Sequence, residues 1–152
     1  MVAALLPVLV LWAAIFVFSG VAAGSNAYQI GRGYDVSHLW ETRERAAAAV
    51  GFAVLAFLPD LWQGYWWLFP LSVVVGLGME ACQFGLRFDV RLNLRRGLAR
   101  DYVGTDPQTA ATDKAVRGRG LTGKQWAALK LAGVVVGLLV LVGLRGWVYL
   151  SQ

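Results

Sequence analysis

Residues 66–86 read WWLFPLSVVVGLGMEACQFGL. At about 1.5 Å per residue a helix of this length crosses roughly 30 Å, the thickness of a hydrocarbon core. Tryptophans open the stretch, Arg87 follows it, and a single ionisable residue, Glu80, lies inside. Aromatic rings and arginine are what the membrane interfaces favour. A carboxyl within such a helix costs about 2–3 kcal/mol on insertion scales and usually faces a bundle interior or a cavity. The stretch predicts a transmembrane helix with one inward polar position.

Three other apolar stretches flank it. Residues 1–24 carry no charge. A secretory signal would have a basic start and a shorter apolar run of about 7–15 residues. The reading is a retained first span, with Pro7 tolerated inside it; cleavage within SGVAAG is the minor alternative. The apolar run 46–58 rises only about 20 Å, which is short of a full crossing. Three explanations compete: a start in the headgroup region near Trp40 with Arg43 and Arg45 snorkelling, local thinning of the bilayer, or a re-entrant hairpin turning at Pro59-Asp60. Trp40 and Trp62 at the two ends favour the first. Residues 125–150 are long enough to cross, with Trp126, Trp147 and Tyr149 at the interfaces and Lys130 and Arg145 snorkelling from near the ends.

The fold class is therefore all-α: a polytopic membrane protein, one transmembrane domain over residues 1–152. It is expected to be a bundle of four transmembrane helices at about 3–23, 40–60, 66–86 and 125–149, with one long basic cytoplasmic loop over 87–124. Composition agrees, at 58% hydrophobic, 15% charged and a mean hydropathy of +0.57; soluble domains are near 45–50% apolar and about 25% charged. The net charge of +5 is concentrated, with nine of the fourteen Lys and Arg between Arg87 and Lys124. Basic residues between two spans follow the positive-inside rule and do not call for nucleic acid. The same rule puts the N- and C-termini outside a bacterial cytoplasmic membrane.

Between the spans, residues 25–45 form a polar connector in which Gly24, Ser25, Asn26, Gly31 and Gly33 are loop formers. It turns helical from Asp35, with Asp35 or Ser37 as cap. Residues 59–65 read as a tight turn. From Phe88 to Val103 apolar and basic residues alternate. Leu92, Leu98, Tyr102 and Val103 can lie on the membrane while Arg91, Arg95, Arg96 and Arg100 meet anionic lipid headgroups. Residues 105–123 read as a mobile loop. Gly76 and Gly78 allow a neighbouring helix to approach, and Gly133 and Gly137 form a packing face for a helix of the same chain or of a second copy.

Glu80, Gln83 and Arg87 recur at helical spacing and share one face. Asp89 and Asn93 continue beyond them, and His38 is expected at the same interface. These residues form a candidate polar site: Glu80, Gln83, Arg87, His38 and Asp89. The structural alternative is that Glu80 pairs with Arg87, Lys130 or Arg45 and fixes helix register. One Cys and one His cannot build a zinc or bis-histidine haem site, so no metal and no cofactor are expected. Cys82 reads as a small packing residue.

Asp35-x-x-His38 before one span, and Glu80-x-x-Gln83, Arg87, Asp89, Asn93 and Gly97 at the end of the next, resemble the VanZ-like family of small bacterial membrane proteins. The likeness covers about residues 35–104. It implies an envelope role, including glycopeptide tolerance for the founding member, without a settled catalytic mechanism, and singles out Glu80, Gln83, Arg87, Asp89 and His38. Three functional expectations stand together. The first is a structural or accessory membrane protein, associating with other membrane subunits or with itself. The second is a membrane enzyme or transporter acting on a lipid or lipid-linked envelope substrate. The third is a holin-like membrane protein of a phage or mobile element.

Overall fold

The computed structural model describes residues 2–34, 38–105 and 111–151. They form α1 (Val2–Gly31), α2 (His38–Trp62), α3 (Leu68–Arg95), α4 (Ala111–Gly118) and α5 (Gly123–Leu150), with no strand among the described residues. All but α4 are long and apolar enough to cross a membrane. The chain is a multi-pass helical membrane protein.

α3 is the centre of the bundle and packs against α1, α2 and α5. Val8 and Leu11 of α1, Ala53, Ala56 and Phe57 of α2, Met79 of α3 and Leu141 of α5 form one buried cluster. A Cβ added at Gly76 would stand 2.8 Å from the Phe57 ring and 3.1 Å from Leu11. Only glycine lets these two side chains seat on α3. On the opposite flank, a Cβ at Gly133 would meet Cys82 at 2.5 Å, and one at Gly137 would meet Met79 at 2.7 Å. The glycine face of the last span is therefore filled by α3 of the same chain. Gly78 has nothing within 4 Å, so the close approach expected there does not occur.

The helices run past the apolar stretches that seed them. α1 has 30 residues, about 45 Å, and absorbs Gly24 to Gly31 of the expected connector. α2 has 25 residues, about 37 Å, so the re-entrant hairpin is not formed and the helix begins ahead of Trp40 as favoured. Pro59 and Asp60 belong to its last turns; the reversal comes at Gly64, whose φ of +85° suits glycine. α3 continues to Arg95, so Phe88 and the first arginines of the expected loop are helical. The reason is cooperative: adding a residue to an existing helix costs far less than starting a new one.

Beyond α3 the chain reverses at Gly97 (φ +71°), and Asn93 Nδ2 donates to the carbonyl oxygens of Arg100 and Tyr102 at 3.3 and 3.0 Å. Residues 111–118 of the expected loop are helical (α4). Asp113 accepts from the Gly104 amide at 2.9 Å and Arg117 donates to the Gly104 carbonyl, which ties α4 to the segment before it. α5 opens with a capping box, Thr122 accepting from the Gln125 amide while Gln125 accepts from that of Thr122. Asp35 and Ser37, the expected caps of α2, lie outside the described residues.

Candidate functional site

The polar residues gather where α1 and α3 end and α2 and α5 begin, called here the basic end. Glu80 is four residues past Gly76 and three before Gln83, on the α3 face directed at α1 and α2. It is 1% exposed, and neither carboxylate oxygen has a partner among the described residues. Gln83, also buried, donates Nε2 to the Trp12 carbonyl at 2.9 Å, while its Oε1 is unpartnered. One turn on, the Arg87 guanidinium lies over the Phe16 ring, 3.1 Å from its centroid, and its Nε is unpartnered.

Two of the three candidate cations for Glu80, Arg45 and Lys130, are engaged elsewhere. Arg45 donates to Glu41 at 2.7 Å and lies over the rings of Phe84 and Phe88, 5.6 and 4.4 Å from their centroids. Glu41 also accepts from Asn26 of α1 at 2.9 Å. Lys130 pairs with Asp89 and sits 4.9 Å from the Trp126 ring centroid. No ion pair forms at Glu80 among the described residues. Asp89 faces α5, where its carboxylate accepts from Lys130. Lys130 and Arg145 do not snorkel, being only 8% and 2% exposed.

Helix α3 therefore displays, in order, a buried carboxyl, an acceptor oxygen on Gln83 and a donor nitrogen on Arg87, all without hydrogen-bond partners among the described residues. An ionised, unpartnered carboxylate in such surroundings is unfavourable by at least several kcal/mol. His38 opens α2 at this end; its side chain lies outside the described residues. Arg91, Arg95, Arg96 and Arg100 are all exposed.

One constellation was missed from the sequence. Asp60 of α2 and Arg145 of α5 form a two-pronged pair at the opposite end, 2.9 and 2.7 Å, with side chains 1% and 2% exposed. The Arg145 guanidinium is also 5.4 Å from the Phe57 ring centroid. The signal available was that each is the lone charged residue of its sign near that end. Ser72, buried on α3 with an unpartnered hydroxyl, was likewise passed over.

No family model, curated protein or solved structure matches this chain.

Proposed function

We propose that this chain is a bacterial envelope membrane protein, an enzyme or transporter, whose working group is Glu80. In this reading Glu80 takes up and releases a proton, or receives a cationic or hydrogen-bonding group, while the protein handles a lipid-linked envelope substrate. The observation that carries it is a carboxyl buried in the bundle with both oxygens unpartnered among the described residues while Arg45 and Lys130 are committed elsewhere. Ionisable groups inside membrane bundles mark substrate or proton pathways by default. Gln83 and Arg87 extend the same face toward the basic end, and the VanZ-like pattern of residues supports the envelope setting. The accessory reading draws less from the geometry, because Gly133 and Gly137 are already occupied by α3.

Glu80→Gln tests the proposal. Lacking an ion pair to lose, this variant should accumulate and melt in mild detergent like the parent chain, within about 1 kcal/mol. It should nevertheless fail to complement the envelope defect of a deletion strain, scored as glycopeptide sensitivity. Dicyclohexylcarbodiimide, which captures protonated carboxyls in apolar surroundings, should add one label to the parent and none at position 80 of the variant. Full complementation by Glu80→Gln sinks the proposal. A protein partner co-purifying at fixed stoichiometry, with complementation intact, would install the accessory role in its place.

A further inference from the structure

A groove of about 550 Å³ runs between α1 and α3 at the basic end, lined on one side by Arg87, Arg91 and Arg95. We infer that this groove is a binding site for one anionic phospholipid, with the phosphate on the three guanidinium groups and an acyl chain against α1. The inference is independent of the role proposed for Glu80.

The spacing is the first argument. Positions 87, 91 and 95 are each four residues apart, which stacks three like charges about 6 Å apart on one helical face. Like charges so placed are mutually unfavourable. None of the three forms an ion pair among the described residues, and no acidic residue lines the groove. Arg87 and Arg95 are drawn onto α1, where an added Cβ would sit 3.5 Å from Arg87 at Gly20 and 2.6 Å from Arg95 at Gly24. The glycines let the guanidinium groups lie against the helix.

Depth is the second. Arg87 is 19 residues past Leu68, about 28 Å along the axis and close to the far edge of a hydrocarbon layer. Arg91 and Arg95 then fall about 6 and 12 Å further, at headgroup level. The α1 wall that continues back from Arg87 is apolar and open: Phe16, Val17 and Val21 are 38%, 63% and 65% exposed. An apolar wall inside the hydrocarbon layer beside cations at headgroup depth matches a lipid that is acyl at one end and phosphate at the other. The planar guanidinium fork binds phosphate through paired hydrogen bonds. With no carboxylate in the groove, nothing offsets the ammonium of a zwitterionic headgroup, so a net anionic lipid is preferred.

Native mass spectrometry of the detergent-solubilised chain with added lipid provides the test. Phosphatidylglycerol should give a one-to-one adduct that survives activation, while phosphatidylcholine at equal concentration should be lost. Each juxtamembrane arginine is worth about a fivefold change in affinity, so Arg91→Gln with Arg95→Gln should weaken the adduct about 25-fold. Both positions are exposed, and retained helicity by circular dichroism verifies the fold of the variant. Arg96→Gln with Arg119→Gln, which remove the same charge outside the groove, should leave the adduct within about twofold. Equal retention of phosphatidylcholine, equal weakening by the two double variants, or displacement of the lipid by millimolar orthophosphate would each overturn the inference. The last outcome would identify a free-phosphate site.

Discussion

Asp60 and Arg145 are the residues on which the opposite end of the bundle depends. Burying two charges carries a desolvation cost that only good geometry and further hydrogen bonds offset. Here the carboxylate meets the guanidinium through two bonds of 2.9 and 2.7 Å, the two-pronged arrangement that arginine is shaped for. Removing one partner strips the other buried side chain of this two-pronged counter-charge. Asp60→Leu by itself should therefore destabilise the protein by about 3–5 kcal/mol, and combining it with Arg145→Met should recover most of that loss. Thermal unfolding of Asp60→Leu, Arg145→Met and the double variant in mild detergent measures this directly. Additive losses in the double variant would mean that each side chain acts through contacts other than the pair. Glu80 is the contrasting case at the same scale: it is as deeply buried, yet its carboxylate has no hydrogen-bond partner among the described residues to lose, so stability and function should separate there and not at Asp60.

At the scale of the element, α3 is defined by which of its neighbours comes close. Met79 and Cys82 face Gly137 and Gly133, with contacts that leave no room for a methyl group. Gly137→Val should force α5 away from Met79 and cost about 1–3 kcal/mol by overpacking. Gly143, with nothing within 4 Å, should accept Ala without loss and gain a few tenths to about 1 kcal/mol in helix propensity. Comparing the two variants by thermal unfolding separates a packed face from a lipid-facing one, and equal effects would contradict the α3–α5 register. The apolar cores of these helices were legible because a run of about twenty apolar residues has few other outcomes. Their ends were not. Arg87, Arg91 and Arg95 fit a helix leaving the membrane as well as a basic segment lying on it, and what selects the helix is the cooperative cost of breaking α3. α4 was invisible for a different reason: eight residues have little helix stability alone, and Asp113 and Arg117 hold α4 through Gly104, a tertiary contact. The Asp60–Arg145 pair is separated by 85 residues, beyond any local pattern. Glu80, Gln83 and Arg87 could be placed on one face from spacing, whereas the absence of a partner for Glu80 depended on how α2 and α5 engage Arg45 and Lys130.

For the molecule as a whole, charge separates along the bundle axis. Every Lys and Arg except Arg145 belongs to the basic end or to the segment joining α3 to α5, and Arg145 is internally matched by Asp60. The opposite end thus offers no basic side chain to a headgroup layer among the described residues, and exposes aromatic ones: Trp62, Trp66 and Trp147 are 79%, 71% and 64% exposed. By the positive-inside rule the basic end should face the cytoplasm and both termini the outside. The orientation can be read with single cysteines placed in a Cys82→Ser background. Gln63→Cys and Ser151→Cys should react with a membrane-impermeant maleimide on intact cells, whereas Arg119→Cys should react only after the membrane is opened. The reverse pattern would invert the topology and place the arginine groove in the outer leaflet. Labelling of all three positions on intact cells would mean that both orientations are present. Because the bias rests on many residues and not on one, replacing Arg91 and Arg95 with Gln should leave the labelling pattern unchanged even as the lipid adduct is weakened, which separates the role of these side chains in the groove from the role of the loop in orienting the chain.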